Sequence, residues 1–195
     1  MSPKKNYSSD PPTAQAIIET PLGLLYLEFS AKGLKKLNFF GDEAHSHNAA
    51  LEFPQEIPSL SKQVLQQWRE QVTQAVQDYF AGEPGAFEAL PLDLQGSPFH
   101  LRVWQELRKI PPGETVSYQE LARRVGNPQA SRAVGQACGK NPIPLIVPCH
   151  RVIAANGTLG GFSSGLSRKR WFLEHEQANV KDWNRNLRQK RKGWV

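Results

Sequence analysis

Apolar and polar positions change their period several times along the 195 residues, and each change predicts an element. Three short apolar stretches, 14–19, 24–30 and 34–40, are separated by the turn-like Thr20-Pro21-Leu22-Gly23 and Ala31-Lys32-Gly33. That punctuation predicts a three-stranded antiparallel meander. Between 60 and 80 the apolar positions Val64, Leu65, Trp68, Val72, Val76, Tyr79 and Phe80 follow helical spacing, and Gly82 stands where a helix would be capped. This helix is expected to cover the sheet. Residues 82–96, with Pro84, Gly85, Pro91 and Gly96, read as an inter-domain connection.

The second half opens on Ser97-Pro98, a cap followed by proline at the first helical position; Val103, Trp104, Leu107 and Ile110 form one face before Pro111-Pro112-Gly113 ends the helix. Ser117 and Glu120 have the spacing of a capping box, and Leu121, Ala122 and Val125 continue as an inward stripe up to Gly126. Asn127-Pro128 then turns the chain into a helix over 129–140. Two short helices joined by a tight glycine-containing turn have a helix-turn-helix outline, which all-α hairpins share. The apolar run 144–148 predicts a buried strand that Pro148 ends, leaving Cys149 at an edge a substrate can reach.

Composition narrows the class. With 39% hydrophobic residues the chain can fill ordinary cores. No stretch approaches the roughly 18 apolar residues of a membrane span, and the first residues lack the apolar segment of a secretory signal, so a cytoplasmic or nucleoid location and no membrane partner are expected. Two cysteines, Cys138 and Cys149, are too few for a disulfide framework. His45 and His47 lie in a polar stretch without further ligands, so no metal is expected. The net charge of +6 is concentrated in 181–195, which carries +5 and leaves a nearly neutral body. Such a tail reads as a solvated end that can add salt-dependent affinity for phosphates. Residues 1–13 read as disordered.

Candidate chemistry centres on Cys149, beside His150. A cysteine in such a run is either an inert core thiol or a reactive one. The helix upstream is dense in Ala and Gly, which lowers its propensity, so something must approach its backbone closely. That is either a packed helix or a nucleic-acid minor groove, which admits a helix only if its side chains are short; one long arginine among them, Arg132, could enter the base stack.

The segments SYQELA (117–122), RAVGQACGKNP (132–142), PCHRV (148–152) and WFLEHE (171–176) together resemble the O6-alkylguanine-DNA alkyltransferase (methylated-DNA–protein-cysteine methyltransferase) family, closely over 97–177 and loosely before it. The resemblance implies a mixed α/β chain: an amino-terminal α/β domain and linker over 14–96, and a mainly helical domain with a winged-helix-like helix-turn-helix over 97–180. It implies that Cys149 accepts the alkyl group, that His150 takes the thiol proton through a water, and that Glu176 orients His150. His175 is read as a surface neighbour. Arg132 is implied to fill the stack vacated by a flipped base, with Ala130, Ser131, Ala133, Gly135 and Gln119 on the DNA side. Tyr118 is implied to crowd the nucleotide's phosphate and donate a proton, and Asn141 to brace the recognition helix against the cysteine segment. Val152, Phe162 and Ser163 are implied to line the base pocket; Phe162 stands where many relatives carry tyrosine. Cys138 is read as core.

The implied activity is stoichiometric S-methyltransferase chemistry on double-stranded DNA bearing O6-alkylguanine, and O4-alkylthymine, by a monomer without a cofactor. Two other classes fit parts of the pattern. A Cys-His-Glu thiol hydrolase would turn over, and a sensor of alkylated bases would bind without transfer.

Overall fold

A computed structural model describes residues 13–39, 57, 59–83 and 87–178. The segment before residue 13, Phe40, His45, His47, Pro84, Gly85 and the basic stretch 181–195 lie outside the described residues.

The meander forms as its alternation requires. Strands β1 (Ala14–Thr20), β2 (Gly23–Ser30) and β3 (Gly33–Phe39) pair antiparallel in that order. Ile18, Leu25, Leu27, Phe29, Leu37 and Phe39 are buried. Helix α1 (Lys62–Phe80) starts at Ser61, whose hydroxyl accepts from the Val64 amide, and turns Leu65, Val72, Ala75, Val76 and Tyr79 inward. It is tied to the sheet by Arg69, which donates to the Gln15 carbonyl at 2.9 Å.

The stretch after α1 is not a free connection. Leu34 donates its amide to the Pro91 carbonyl and Asp93 donates to that of Leu34, both at 2.8 Å, and Phe87 and Leu90 are buried. The open edge of β3 presents unpaired backbone groups, and the proline-bounded segment satisfies them. Gly33 is required there: at φ +141° its missing Cβ would overlap the Pro91 carbonyl.

The second half contains α2 (Pro98–Leu107), α3 (Tyr118–Arg124), α4 (Ser131–Gly139) and α5 (Leu166–His175), with β4 (Val116–Ser117) parallel to β5 (Val152–Ile153). Ser97 and Ser117 cap α2 and α3 by accepting from the His100 and Glu120 amides. The capping box is half formed, because the Glu120 carboxylate pairs with Arg123 and Arg124 instead of reaching back. Helix α4 begins two residues later than the spacing suggests, after a turn closed by the Ala130 amide on the Asn127 carbonyl. The Trp104 indole N–H donates to the Ala137 carbonyl at 2.9 Å and fastens α2 to α4.

The run before Cys149 is the main departure from expectation. It is a series of turns and not a strand, with Leu145 at φ 79°. Pro142, Pro144 and Pro148 have no amide hydrogen to place in a ladder, so apolarity buries the run without extending it. The two halves share one core, in which Phe39 and Tyr79 pack against Phe172 of α5 with ring centroids 6.0 and 6.1 Å apart. Burying a side chain such as Phe172 stabilises by about 1.5–3 kcal/mol.

Candidate active site

Cys149 opens a single 3-10 turn, Cys149–Arg151, after the Pro148 bend. The expected exposed edge is not found: Cys149 is 3% exposed and faces a small cavity instead. Asn141, just beyond the end of α4, fixes this geometry. Its amide nitrogen donates to the Val147 carbonyl at 2.7 Å and to Cys149 Sγ at 3.1 Å, while its carbonyl oxygen accepts from the Ile143 amide at 3.1 Å. A turn that cannot satisfy its own backbone is held by one side chain, which also touches the sulfur. Burial pushes the Cys149 thiol up, and the Asn141 hydrogen bond and the charge of Lys169 pull it back only in part.

His150 and Arg151, next in the turn, meet Glu176 at the end of α5. Glu176 Oε1 accepts from His150 Nε2 at 2.9 Å, from an Arg151 guanidinium nitrogen at 2.9 Å and from the Tyr79 hydroxyl at 2.8 Å; its Oε2 accepts from Arg151 Nε at 2.9 Å. Burial alone would raise the Glu176 carboxyl, but the hydrogen bonds and charges of His150 and Arg151 outweigh it and hold the group well below the carboxylate range. Burial lowers His150, against the opposing pull of Glu176, so its imidazole is neutral. An ionised carboxylate only accepts, so the imidazole proton sits on Nε2. Nδ1 is therefore a lone pair, buried and without a protein hydrogen-bond partner. That atom can take a proton.

The cavity beside Cys149 has a volume of about 130 Å³ and is lined by Tyr118, Gly135, Cys138, Gly139, Cys149, Gly161, Phe162 and Ser163. Strand β4 hydrogen-bonds to β5 and so sets Tyr118, the next residue, over the cavity. The Tyr118 hydroxyl makes a long contact of 3.5 Å with the Gly161 carbonyl. Burial raises its pKa, as do the neighbouring thiols, so it remains a phenol with a proton to give. A side chain at Gly160 would press on the same hydroxyl. Phe162 stands edge-on to His150, at a centroid distance of 6.4 Å. Val152 is buried at the start of β5. Cys138 is at once core and cavity wall; its thiol is pushed up to about 12, by burial first and then by Cys149.

On α4, Val134, Ala137 and Cys138 face inward, Ala130, Ser131, Ala133 and Gly135 are half-buried, and Arg132 is exposed, as is Gln119 on α3. His175 is not a surface residue: it stacks on Trp171 at 4.6 Å and donates from Nε2 to the Tyr79 carbonyl. Among the described residues no cluster of three or more His, Cys, Asp or Glu side chains is gathered as metal ligands.

Three members of the site escape the sequence reading: Arg151, Tyr79 and Lys169. Lys169 had a legible signal, since it shares a helical stripe with Phe172, Leu173 and Glu176, all buried. Tyr79 had none, being 97 residues from Glu176.

Residues 98–178 match the family model for the 6-O-methylguanine DNA methyltransferase DNA-binding domain, and 14–94 match that for its ribonuclease-like domain. A methylated-DNA–protein-cysteine methyltransferase of Methanosarcina acetivorans is 42% identical over 161 residues, which are 83% of this chain and 96% of that protein. One from Mycobacterium bovis is 55% identical over 102 residues, 52% of this chain and 61% of its own. Among solved structures, a variant of the Mycobacterium tuberculosis O6-methylguanine methyltransferase superposes with a TM-score of 0.68 at 38% identity, covering 87% of this chain and 95% of that one. The OGT of the same organism in complex with DNA gives 0.65 at 39% identity, covering 83% and 91%. With the two family models matching both halves in order, the second across the cysteine turn and its carboxylate helix, and a relative 42% identical over 83% of the chain, the chain belongs to the 6-O-methylguanine DNA methyltransferase family.

Proposed function

We propose that the protein repairs DNA by direct reversal, taking the alkyl group of O6-alkylguanine, and of O4-alkylthymine, onto Cys149. The observation that carries this reading is the pairing of a cavity-facing Cys149 with a neutral His150 whose Nε2 is held by Glu176 and whose Nδ1 is left without a partner. At rest the thiol keeps its proton, because burial raises the thiol and lowers the imidazole. Proton loss therefore accompanies bond formation. Sγ bonds to the alkyl carbon, the carbon–O6 bond breaks with its electron pair going to the purine, the thiol proton passes through a water to His150 Nδ1, and Tyr118 protonates the departing base. The product is a thioether. A thioether carbon is not attacked by water even with a base beside it, so each molecule acts once.

The target base lies within the duplex and is rotated out, at a cost of a few kcal/mol for unstacking and unpairing. The exposed Arg132 fills the gap, and the short side chains of Ala130, Ser131, Ala133 and Gly135, with Gln119 beside them, let α4 approach the minor groove. In the cavity Phe162 stacks on the base, while Ser163 and the backbone at Val152 read its edge. The α3–turn–α4 unit acts as a winged-helix-like reader, the protein works as a monomer, and its substrate puts it at the nucleoid.

The test uses limiting protein and excess duplex containing O6-methylguanine. Repair that stops at one lesion per molecule is expected; continued turnover points to a hydrolase, and binding without loss of the lesion to a sensor.

A further inference from the structure

Lys169 on α5 takes no part in the steps above, yet its side chain is fully buried. Its Nζ donates to the Val152 carbonyl at 2.6 Å and to the Gly161 carbonyl at 3.1 Å. One carbonyl directly follows the cysteine turn and the other belongs to the glycine-rich segment that lines the Cys149 cavity, so a single ammonium ties the turn to that segment. Carbonyl oxygens satisfy donors without cancelling a charge. Among the described residues no carboxylate lies within ion-pair distance of Lys169, and the ionisable groups whose charge acts on it are the thiols of Cys149 and Cys138. Burial lowers its pKa to about 8, an expense that the two thiols offset only when ionised.

A buried ammonium without a counter-ion costs stability, and a well-packed apolar side chain of the same length would not. The charge is therefore kept for something other than the fold. We propose that Lys169 is a positioning residue for alkyl transfer, its ammonium latching the cysteine turn to the glycine-rich wall of the cavity and supplying the positive charge that favours the Cys149 thiolate as the proton leaves. The other charged or titratable groups around this sulfur do not supply that charge. Tyr118 on α3 and Cys138 on α4 disfavour a second anion, His150 is neutral, and Arg151 is committed to Glu176. The role rests on the repair reading for the reaction it serves, but not for the thiol reactivity that tests it.

The test follows the reaction of Cys149 with iodoacetamide between about pH 6 and 8, where Lys169 carries its charge, in a Cys138→Ser background, which leaves one thiol, and needs no DNA. Lys169→Met removes charge and latch; Lys169→Gln removes the charge but keeps two N–H donors; Lys169→Arg keeps the charge. Both neutral variants are expected to fold, and to react about tenfold more slowly than the parent at a given pH in this range, the loss of thiolate that about one pH unit represents. Lys169→Arg should react near the parent rate. Single-turnover transfer from an O6-methylguanine duplex should be about tenfold slower near neutral pH in the neutral variants and recover as the pH is raised. Unchanged rates with iodoacetamide, or a transfer loss equal at every pH, would overturn the proposal. So would failure of both neutral variants to fold, since that would make the ammonium a structural requirement.

Discussion

Glu176 holds the catalytic turn through three hydrogen bonds and Tyr79 of α1 through a fourth, all to one carboxylate, and substitutions there should act on stability and rate together. Glu176→Ala leaves the buried Arg151 guanidinium without its anion and should cost about 3–5 kcal/mol by urea unfolding. The same site sets the acid limb of stability. Glu176 is held below its ordinary 4.5 and His150 below its ordinary 6.5, so as the pH falls the unfolded chain takes up both protons before the folded one does. Stability from both groups is full above about pH 6.5, begins to drain there through His150, and drains further below about 4.5 through Glu176. Urea midpoints measured across this range should fall in that order, and Glu176→Gln should flatten the lower step and, by removing the pull that raises His150, extend the upper step to lower pH. Arg132 belongs to a different process. Arg132→Ala should slow transfer from duplex DNA by about tenfold to a hundredfold, given the few kcal/mol needed to extrude a base. The same variant should slow transfer from single-stranded DNA much less, and equal slowing on both substrates would argue against a gap-filling role.

At the scale of elements, the connection between α4 and the cysteine turn rests on Asn141. Asn141→Ala strands the Ile143 amide and leaves the Val147 carbonyl with the Cys149 amide alone, and should cost roughly 1–3 kcal/mol, by the penalty for an unpaired buried group. Transfer should be lost faster than fold if the sulfur contact matters, which is read by comparing rate with thermal midpoint. The edge of β3 offers an independent check, because Gly33→Ala drives a methyl group into the Pro91 carbonyl and should lower the melting temperature without altering the chemistry of Cys149. Much of this was visible in the residue pattern. Alternation and turn residues marked the meander, helical spacing marked α1 and α2, and serine caps marked the starts of α2 and α3, because those signals are local. The run before Cys149 misled because apolarity reports burial, not extension, and its three prolines bar a ladder. The segment 87–93 read as a linker because its partner, the β3 edge, is more than fifty residues away. Arg151 and Tyr79 were hidden for the same reason, their reason for burial being a carboxylate distant in the chain.

For the whole molecule, the amino-terminal half is part of the site's support and not an appendage. Tyr79 of α1 bonds Glu176, the Tyr79 carbonyl accepts from His175, and the Leu37 amide of β3 donates to the Pro142 carbonyl at 2.9 Å, next to the Asn141 turn. Rearrangement of the sheet would therefore reach the cysteine through two routes. The charge distribution acts on a longer range. Residues 181–195 carry +5 of the net +6, so deleting them should weaken DNA binding most at low salt and flatten its salt dependence, with little change in transfer once the duplex saturates the protein. The central claim is that one sulfur, kept protonated until a base enters, receives the alkyl group for good. Intact-mass measurement and peptide mapping after incubation with a duplex containing O6-methylguanine test it most directly. A gain of one methyl group per molecule, located on Cys149 and absent from Cys149→Ser, is the predicted result. A methyl group on any other residue, or loss of the lesion with no gain in mass, would contradict it.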